Sequence, residues 1–249
     1  MTTTLGLPEA IQACLFDLDG VVTRTAVVHA AAWKEMFDAF LRERDGDGFR
    51  PFDAGDYDEY VDGRPRADGV RAFLASRDVR LPEGGPDDPP DAQTVHGLGN
   101  RKNELLLEKI RTQGVQAYDG TLRYLEAARA RGLRTAIVSS SANARDVLRS
   151  IGAEDLFDVR VDGVVAAERD LPGKPHPDTF LAAARDLGVE PAGAAVFEDA
   201  LAGMDAGRSG NFGYVVGVDR VGQTDALYAH GADVVVKDLG DLLGQGGRA

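Results

Sequence analysis

The chain has a single cysteine, Cys14, so no disulfide can form within it. A lone thiol inside the apolar run Ala13 to Phe16 reads as a small buried hydrophobe, not as a reactive group. Positive charge is scarce: 28 Lys and Arg stand against 41 Asp and Glu, a net charge of −13. Nucleic acids and anionic membranes both require a basic footprint, so neither is an expected partner. Met1 to Gly6 has neither the basic stretch nor the apolar centre of a secretory leader. No apolar run approaches the roughly 20 residues needed to span a bilayer. There is no internal repeat, and the only biased tracts are a Pro-rich loop and a Gly-rich C-terminus, expected to be disordered after Leu243. With 43% hydrophobic and 28% charged residues, what remains is an ordinary core-forming chain, expected to be a cytoplasmic monomer.

One stretch organises the rest. Ile11 to Thr23 reads IQACLFDLDGVVT, a short apolar run followed by two aspartates and a glycine. Such a run bounded by Asp and Gly predicts a buried parallel strand that ends in a loop. Asp17 and Asp19 then lie at the carboxyl end of a strand, where open α/β sheets bind ligands, and hard oxygen ligands in that loop suit Mg²⁺. A polar turn without further meaning is the competing reading of the same residues.

After Val22 the pattern becomes helical, with an apolar stripe of Val27, Val28, Ala31, Ala32, Trp33, Phe37 and Phe40. Residues 45–62 show no clear period. Helical runs follow at Val70 to Ala75 and Asn100 to Ile110, separated by a long loop from Arg77 to Thr94 that contains Pro82, Pro86, Pro89 and Pro90. From Val115 strands and helices alternate. Helices are predicted over Thr121–Arg131, Ala142–Ile151, Asp178–Leu187 and Ala200–Ser209, and strands over Leu133–Ser139, Val159–Val165, Gly193–Phe197, Phe212–Val218 and Asp233–Val236. That alternation implies right-handed βαβ units: an α/β fold with a doubly wound, parallel Rossmann-like core and a helical domain inserted after its first strand. The expected boundaries are 1–24 and 114–249 for the core and 25–113 for the insertion.

Four stretches fall at predicted carboxyl ends of strands. Asp17 and Asp19 end the first; Ser139, Ser140 and Ser141 end the second, where hydroxyls and a helix N-terminus can cradle phosphate. Lys174 lies in Gly-Lys-Pro-His-Pro-Asp, and Glu198 and Asp199 follow Ala194 to Phe197. Each has a bland reading: the serines and Glu198-Asp199 as helix caps, the lysine as a solvated surface group. Together, four carboxylates at one edge would raise one another's pKa, and a divalent cation removes that conflict.

DLDGVVT, IVSSS, GKPHPDTF and VFEDA, in this order and spacing, resemble the four motifs of the haloacid dehalogenase superfamily of phosphoryl-transfer enzymes. The helical insertion resembles the cap of its β-phosphoglucomutase-like branch. The resemblance implies Asp17 as the nucleophile that forms an aspartyl-phosphate and Asp19 as general acid/base. It implies Mg²⁺ held by Asp17, the Asp19 backbone carbonyl, Glu198 and Asp199, with Ser139 and Lys174 on the transferring phosphoryl oxygens. In the insertion, Thr25, His29 and Trp33 resemble the branch's linker and first cap helix. Gly63-Arg64-Pro65-Arg66 resembles the cap loop whose arginine, here Arg66, grips a non-transferring phosphate. Lys102, Ser140, Ser141 and Asn143 match further positions around the substrate. A surface role for Arg66 and a half-buried cap position for His29 are the alternatives. Arg24, Ala142 and the long loop at 77–94 depart from the pattern. The implied activity is that of a hexose phosphate mutase, interconverting β-glucose 1-phosphate and glucose 6-phosphate. A sugar-phosphate phosphatase on the same fold, or a silent binding protein, would share the architecture.

Overall fold

The computed structural model describes residues 4–244, so the expectation placed on the glycine-rich tail after Leu243 falls largely outside the described residues. Six parallel strands form one sheet in the order β3-β2-β1-β4-β5-β6. They are β1 (Ala13–Phe16), β2 (Arg134–Val138), β3 (Val159–Val161), β4 (Ala194–Glu198), β5 (Tyr214–Val218) and β6 (Val234–Val236). The first strand lies between β2 and β4, with Ala13 opposite both Arg134 and Ala194 and Phe16 opposite both Ile137 and Phe197. Alternation along these strands divides the interior in two. Cys14, Phe16, Ile137, Phe197 and Val216 enter one apolar cluster, and Ala13, Leu15, Val138, Val196 and Val215 enter the other. Both faces of the sheet are covered by helices, which explains why β1 is an unbroken apolar run. Its cysteine is fully buried, and burial pushes the thiol well up.

The helices are α1 (Ala26–Asp45), α2 (Ala54–Asp56), α3 (Arg66–Ser76), α4 (Val95–Gln113), α5 (Asp119–Ala130), α6 (Ala144–Ser150), α7 (Gly163–Glu168), α8 (Asp178–Leu187), α9 (Leu201–Ser209) and α10 (Thr224–Ala229). Helices α1 to α4 lie between β1 and α5 and enclose a separate apolar cluster around Trp33, Met36, Phe37, Phe52, Phe73 and Leu98. The rings of Phe37 and Phe73 are 4.0 Å apart. Two chain segments join this helical part to the sheet, paired where Thr23 meets Ala117 and where Tyr118 N–H donates to Val22 O at 2.9 Å. Among the described residues no helix is long and apolar enough to cross a membrane.

Several elements differ from the sequence expectation. Val27 and Ala31 belong to the apolar pattern of α1 but face solvent; Val27 is 71% exposed, and the buried stripe runs instead through Ala32, Trp33, Met36, Phe37, Phe40 and Leu41. The strand expected over Val159–Val165 stops at Val161. Asp162 then accepts from Val164 N–H at 3.1 Å and Val165 N–H at 3.0 Å, capping α7 and overriding the strand preference of its two valines. The stretch 45–62, which lacks any period, folds around a reciprocal cap between Asp53 and Asp56, the one-turn α2 and a π-helical turn at Tyr57–Val61. The short α10 had no sequence counterpart. The 77–94 loop is indeed a loop, stapled to α4: Asn100 donates to Pro86 O at 2.9 Å and Asp88 O at 2.8 Å, and Arg101 to Pro90 O at 2.8 Å.

Candidate active site

At the carboxyl edge of the sheet the ladder continues one residue past β1, as Asp17 N–H donates to Phe197 O at 2.9 Å. This fixes the Asp17 carboxylate against the loop after β4. Lys174 is 1% exposed and reaches the edge from the Pro-rich turn before α8. Its ammonium donates to Asp17 Oδ1 and Glu198 Oε1, both at 2.6 Å, and to Val138 O at 3.1 Å. Burial alone would discharge this lysine, but the two carboxylates hold its pKa above the usual lysine range. The other Glu198 oxygen, Oε2, accepts from the N–H groups of Asp199 and Ala200 at 3.0 Å. Glu198 therefore both anchors Lys174 and ties down the turn before α9; the helix itself starts at Leu201 with no side-chain cap, so the helix-cap reading of Glu198 is not met.

Asp17, Glu198 and Asp199 bring carboxylate oxygens within 4.8 Å of one another. Burial is the main cause that pushes Asp17 and Asp199 above the usual carboxylate range; Lys174 offsets part of it for Asp17. Hard oxygen donors in a buried, mutually repelling group fit a divalent cation. Gly20 makes the cluster sterically feasible: with φ +97°, it has no Cβ, and one placed there would lie 1.7 Å from Asp199 Oδ2. The Asp19 carboxylate turns aside, accepting a short hydrogen bond from Thr25 Oγ1 and lying 3.5 Å from His29 Nε2.

Behind Asp19 runs a relay from the helical part. Lys102 Nζ is 3.1 Å from His29 Nδ1 and 4.8 Å above the Trp33 ring. Burial, reinforced by Lys102, pushes the His29 pKa down to about 4, and burial pushes Lys102 down to about 7. A neutral imidazole that accepts from Lys102 at Nδ1 carries its hydrogen on Nε2, facing Asp19.

A cavity of about 480 Å³ opens over these groups, lined by Asp17, Asp19, His29, Trp33, Arg66, Lys102, Ser139, Ser140, Ser141, Asn143 and Asp199. Thr25, Lys174 and Glu198 do not line it but are bonded to residues that do. Helix α6 begins at Ala144, two residues later than expected, and the serines make their own turn: Ser139 Oγ accepts from Ser141 N–H at 3.1 Å and Ser141 Oγ from Asn143 N–H at 3.2 Å. The helical part closes over the edge through Ser140 Oγ, which donates to Gly63 O at 2.6 Å, and Asn143, which donates to Asn103 Oδ1 at 2.9 Å. Burial lowers the Arg66 pKa, and its side chain packs on Gly99. Sequence reasoning missed Asp62, Arg64, Asn103 and His96, which also line the cavity, and Tyr57 beside them. Adjacency to the Gly63–Arg66 loop was a usable signal for Asp62 and Arg64; nothing in the sequence pointed to Tyr57.

This edge defines a class: the chain belongs to the haloacid dehalogenase-like hydrolase family, whose sequence model matches residues 11–211. Within it the chain falls in the β-phosphoglucomutase-like branch and is an enzyme of the phosphotransferase type. It is 58% identical over 246 residues to a β-phosphoglucomutase of Mycobacterium tuberculosis, covering 96% of this chain and 94% of the relative. A β-phosphoglucomutase of Bacillus subtilis is 33% identical over 235 residues, covering 93% and 92%. The crystal structure of a β-phosphoglucomutase from Clostridium difficile superposes with a TM-score of 0.75 at 27% identity, covering 93% of each chain.

Proposed function

We propose that this chain is a Mg²⁺-dependent β-phosphoglucomutase that converts β-glucose 1-phosphate to glucose 6-phosphate through an aspartyl-phosphate. The observation that carries the reading is the shared cavity, in which Arg66 and Lys102 face the Asp17 edge and Thr25 and His29 hold Asp19. A mutase needs cations for a second phosphate and an acid/base group that is kept from water; a generic phosphatase needs neither.

In the first half-reaction an Asp17 oxygen attacks phosphorus. The new Asp17–phosphorus bond forms as the bond to the sugar oxygen breaks, and Asp19 delivers a proton to that leaving oxygen. In the second, Asp19 takes the proton from the acceptor hydroxyl as that oxygen displaces Asp17. Lys174 and Ser139 hold the transferring phosphoryl oxygens, and Arg66, Ser140, Ser141, Lys102 and Asn143 hold the rest of the substrate. Asp17, the Asp19 carbonyl, Asp199 and Glu198 would hold Mg²⁺, which supplies charge neutralisation for the phosphoryl group. Residues 25–113 act as a cap over a core of 1–24 and 114–249, and the enzyme works as a cytoplasmic monomer on a free sugar phosphate.

The reading is tested by ³¹P NMR of purified protein with Mg²⁺, β-glucose 1-phosphate and a trace of glucose 1,6-bisphosphate. Growth of glucose 6-phosphate without matching inorganic phosphate is expected. Inorganic phosphate alone would make the enzyme a phosphatase.

A further inference from the structure

Asp62 belongs to none of the four motifs, yet it lines the same cavity as Asp17, Asp19 and Asp199. It follows the π-helical turn: its N–H donates to Tyr57 O at 3.0 Å, and the Tyr57 side chain, whose hydroxyl donates to Ala26 O at 3.4 Å, lies beside its carboxylate. The next residue fixes where it lies. Gly63 O accepts from Ser140, and Gly63 packs so tightly on the residue after Asp199 that an added Cβ would be 2.9 Å from Ala200 Cβ. Asp62 is thereby delivered to the cavity wall that Asp199 also lines.

The charges do not balance. Asp17, Asp19, Glu198 and Asp199 belong to the core; the fifth carboxylate, Asp62, arrives with the cap. Among the described residues, Lys174 is the one Lys or Arg side chain in ion-pair contact with any of the five. At Asp62, like charges in a weakly screened cavity oppose that arrival, against the pull of Arg66 and Lys102, which line the same cavity. A divalent cation in the cluster removes most of that opposition.

We propose that Asp62 couples seating of the cap to occupancy of the acidic cluster by a divalent cation. Asp62 is outside the group of three whose oxygens lie within 4.8 Å of one another, so it would act on a cation there by its charge and not as one of its ligands. Linkage is reciprocal: a cation that favours the seated cap is bound more tightly by it. The inference rests on the cap-and-core reading given above.

The test measures two quantities at pH 8 without substrate: Mg²⁺ affinity by calorimetry and the radius of gyration by small-angle X-ray scattering. For the unmodified enzyme, Mg²⁺ is expected to contract the particle. Asp62→Asn, isosteric but uncharged, is expected to be compact already in EDTA and to bind Mg²⁺ on the order of tenfold more weakly. Tyr57→Phe keeps the charge and is expected to retain the Mg²⁺-dependent contraction, which separates charge from mere disturbance of the cavity. Asp62→Asn with unchanged Mg²⁺ affinity, or with the same Mg²⁺-dependent contraction as the unmodified enzyme, would overturn the coupling alone. An unmodified enzyme that binds no Mg²⁺ would overturn the metal reading as well.

Discussion

Asp17 and Asp19 stand two residues apart, yet their surroundings differ in the way the two proposed roles require. Asp17 is buried beside a charged lysine and has one oxygen committed to it, whereas Asp19 is held by a hydroxyl and an imidazole from the segment leading into the cap. Asp17→Asn removes the proposed nucleophile while preserving shape, so turnover is expected to vanish with an unchanged circular dichroism spectrum. Residual activity near that of the unmodified enzyme would reassign the nucleophile. Lys102 gives a pH prediction. Its pKa is depressed to about 7 by burial, so the free enzyme loses this charge as the pH rises through about 7. The kcat/KM for an anionic sugar phosphate should therefore fall on an alkaline limb, and Lys102→Met should flatten that limb while lowering the plateau. The same depression acts on stability with a fixed sign. Between about 7 and 10.5 the unfolded chain binds a proton there that the folded chain does not, so this site favours folding more as pH rises through that window.

Among the elements, the loop 62–66 does the most with the least regularity. It seats Gly63 on Ala200 and Pro65 on Gly173, where an added Cβ would lie 2.1 Å from Pro65 Cγ. Gly173→Ala should lift this loop, raising KM for a sugar phosphate by about tenfold or more while affecting hydrolysis of a small aryl phosphate far less. Equal losses on both substrates would place the damage at Lys174 instead. This loop also marks the limit of what the sequence made legible. The strands of the sheet could be read because apolar runs with flanking glycines have few other solutions, and three of the four motifs followed from the ends of those strands; Lys174, expected at a strand end, reaches the edge instead from the turn before α8, with α7 between it and β3. Asp62 could not be read. Its π-helical turn has neither a 3.6-residue nor a 2-residue period, and its place on the cavity wall that Asp199 also lines depends on a contact between Gly63 and Ala200, which are far apart in the chain. Likewise Val164 and Val165 looked like strand because only the fold shows that Asp162 has a helix to cap.

At the scale of the whole molecule, the described residues form three apolar clusters, two on the faces of the sheet and one inside the insertion. The third shares no buried residue with the others, so its cost falls on the cap. Phe37 is fully buried against Trp33, Phe52 and Phe73, and Phe37→Ala should destabilise by about 3–5 kcal/mol. Hydrogen exchange should show that loss concentrated in α1, α3 and α4, with β1, β2 and β4 retaining their protection; uniform loss would mean that cap and core unfold as one unit.

The placement of β1 at the centre of the sheet bears on biosynthesis. Its neighbours β2 and β4 are encoded far downstream, and the last of them, β4, is complete only at residue 198. At about 5–20 residues per second, the ribosome needs roughly ten to forty seconds to supply it. During that interval the Ala13–Phe16 segment, all apolar and without its final partners, trails behind an insertion whose own aromatic cluster can already form. The nascent chain thus carries Asp17 at the end of the strand that must wait longest for its place, and that strand is where a ribosome-associated chaperone would be most needed.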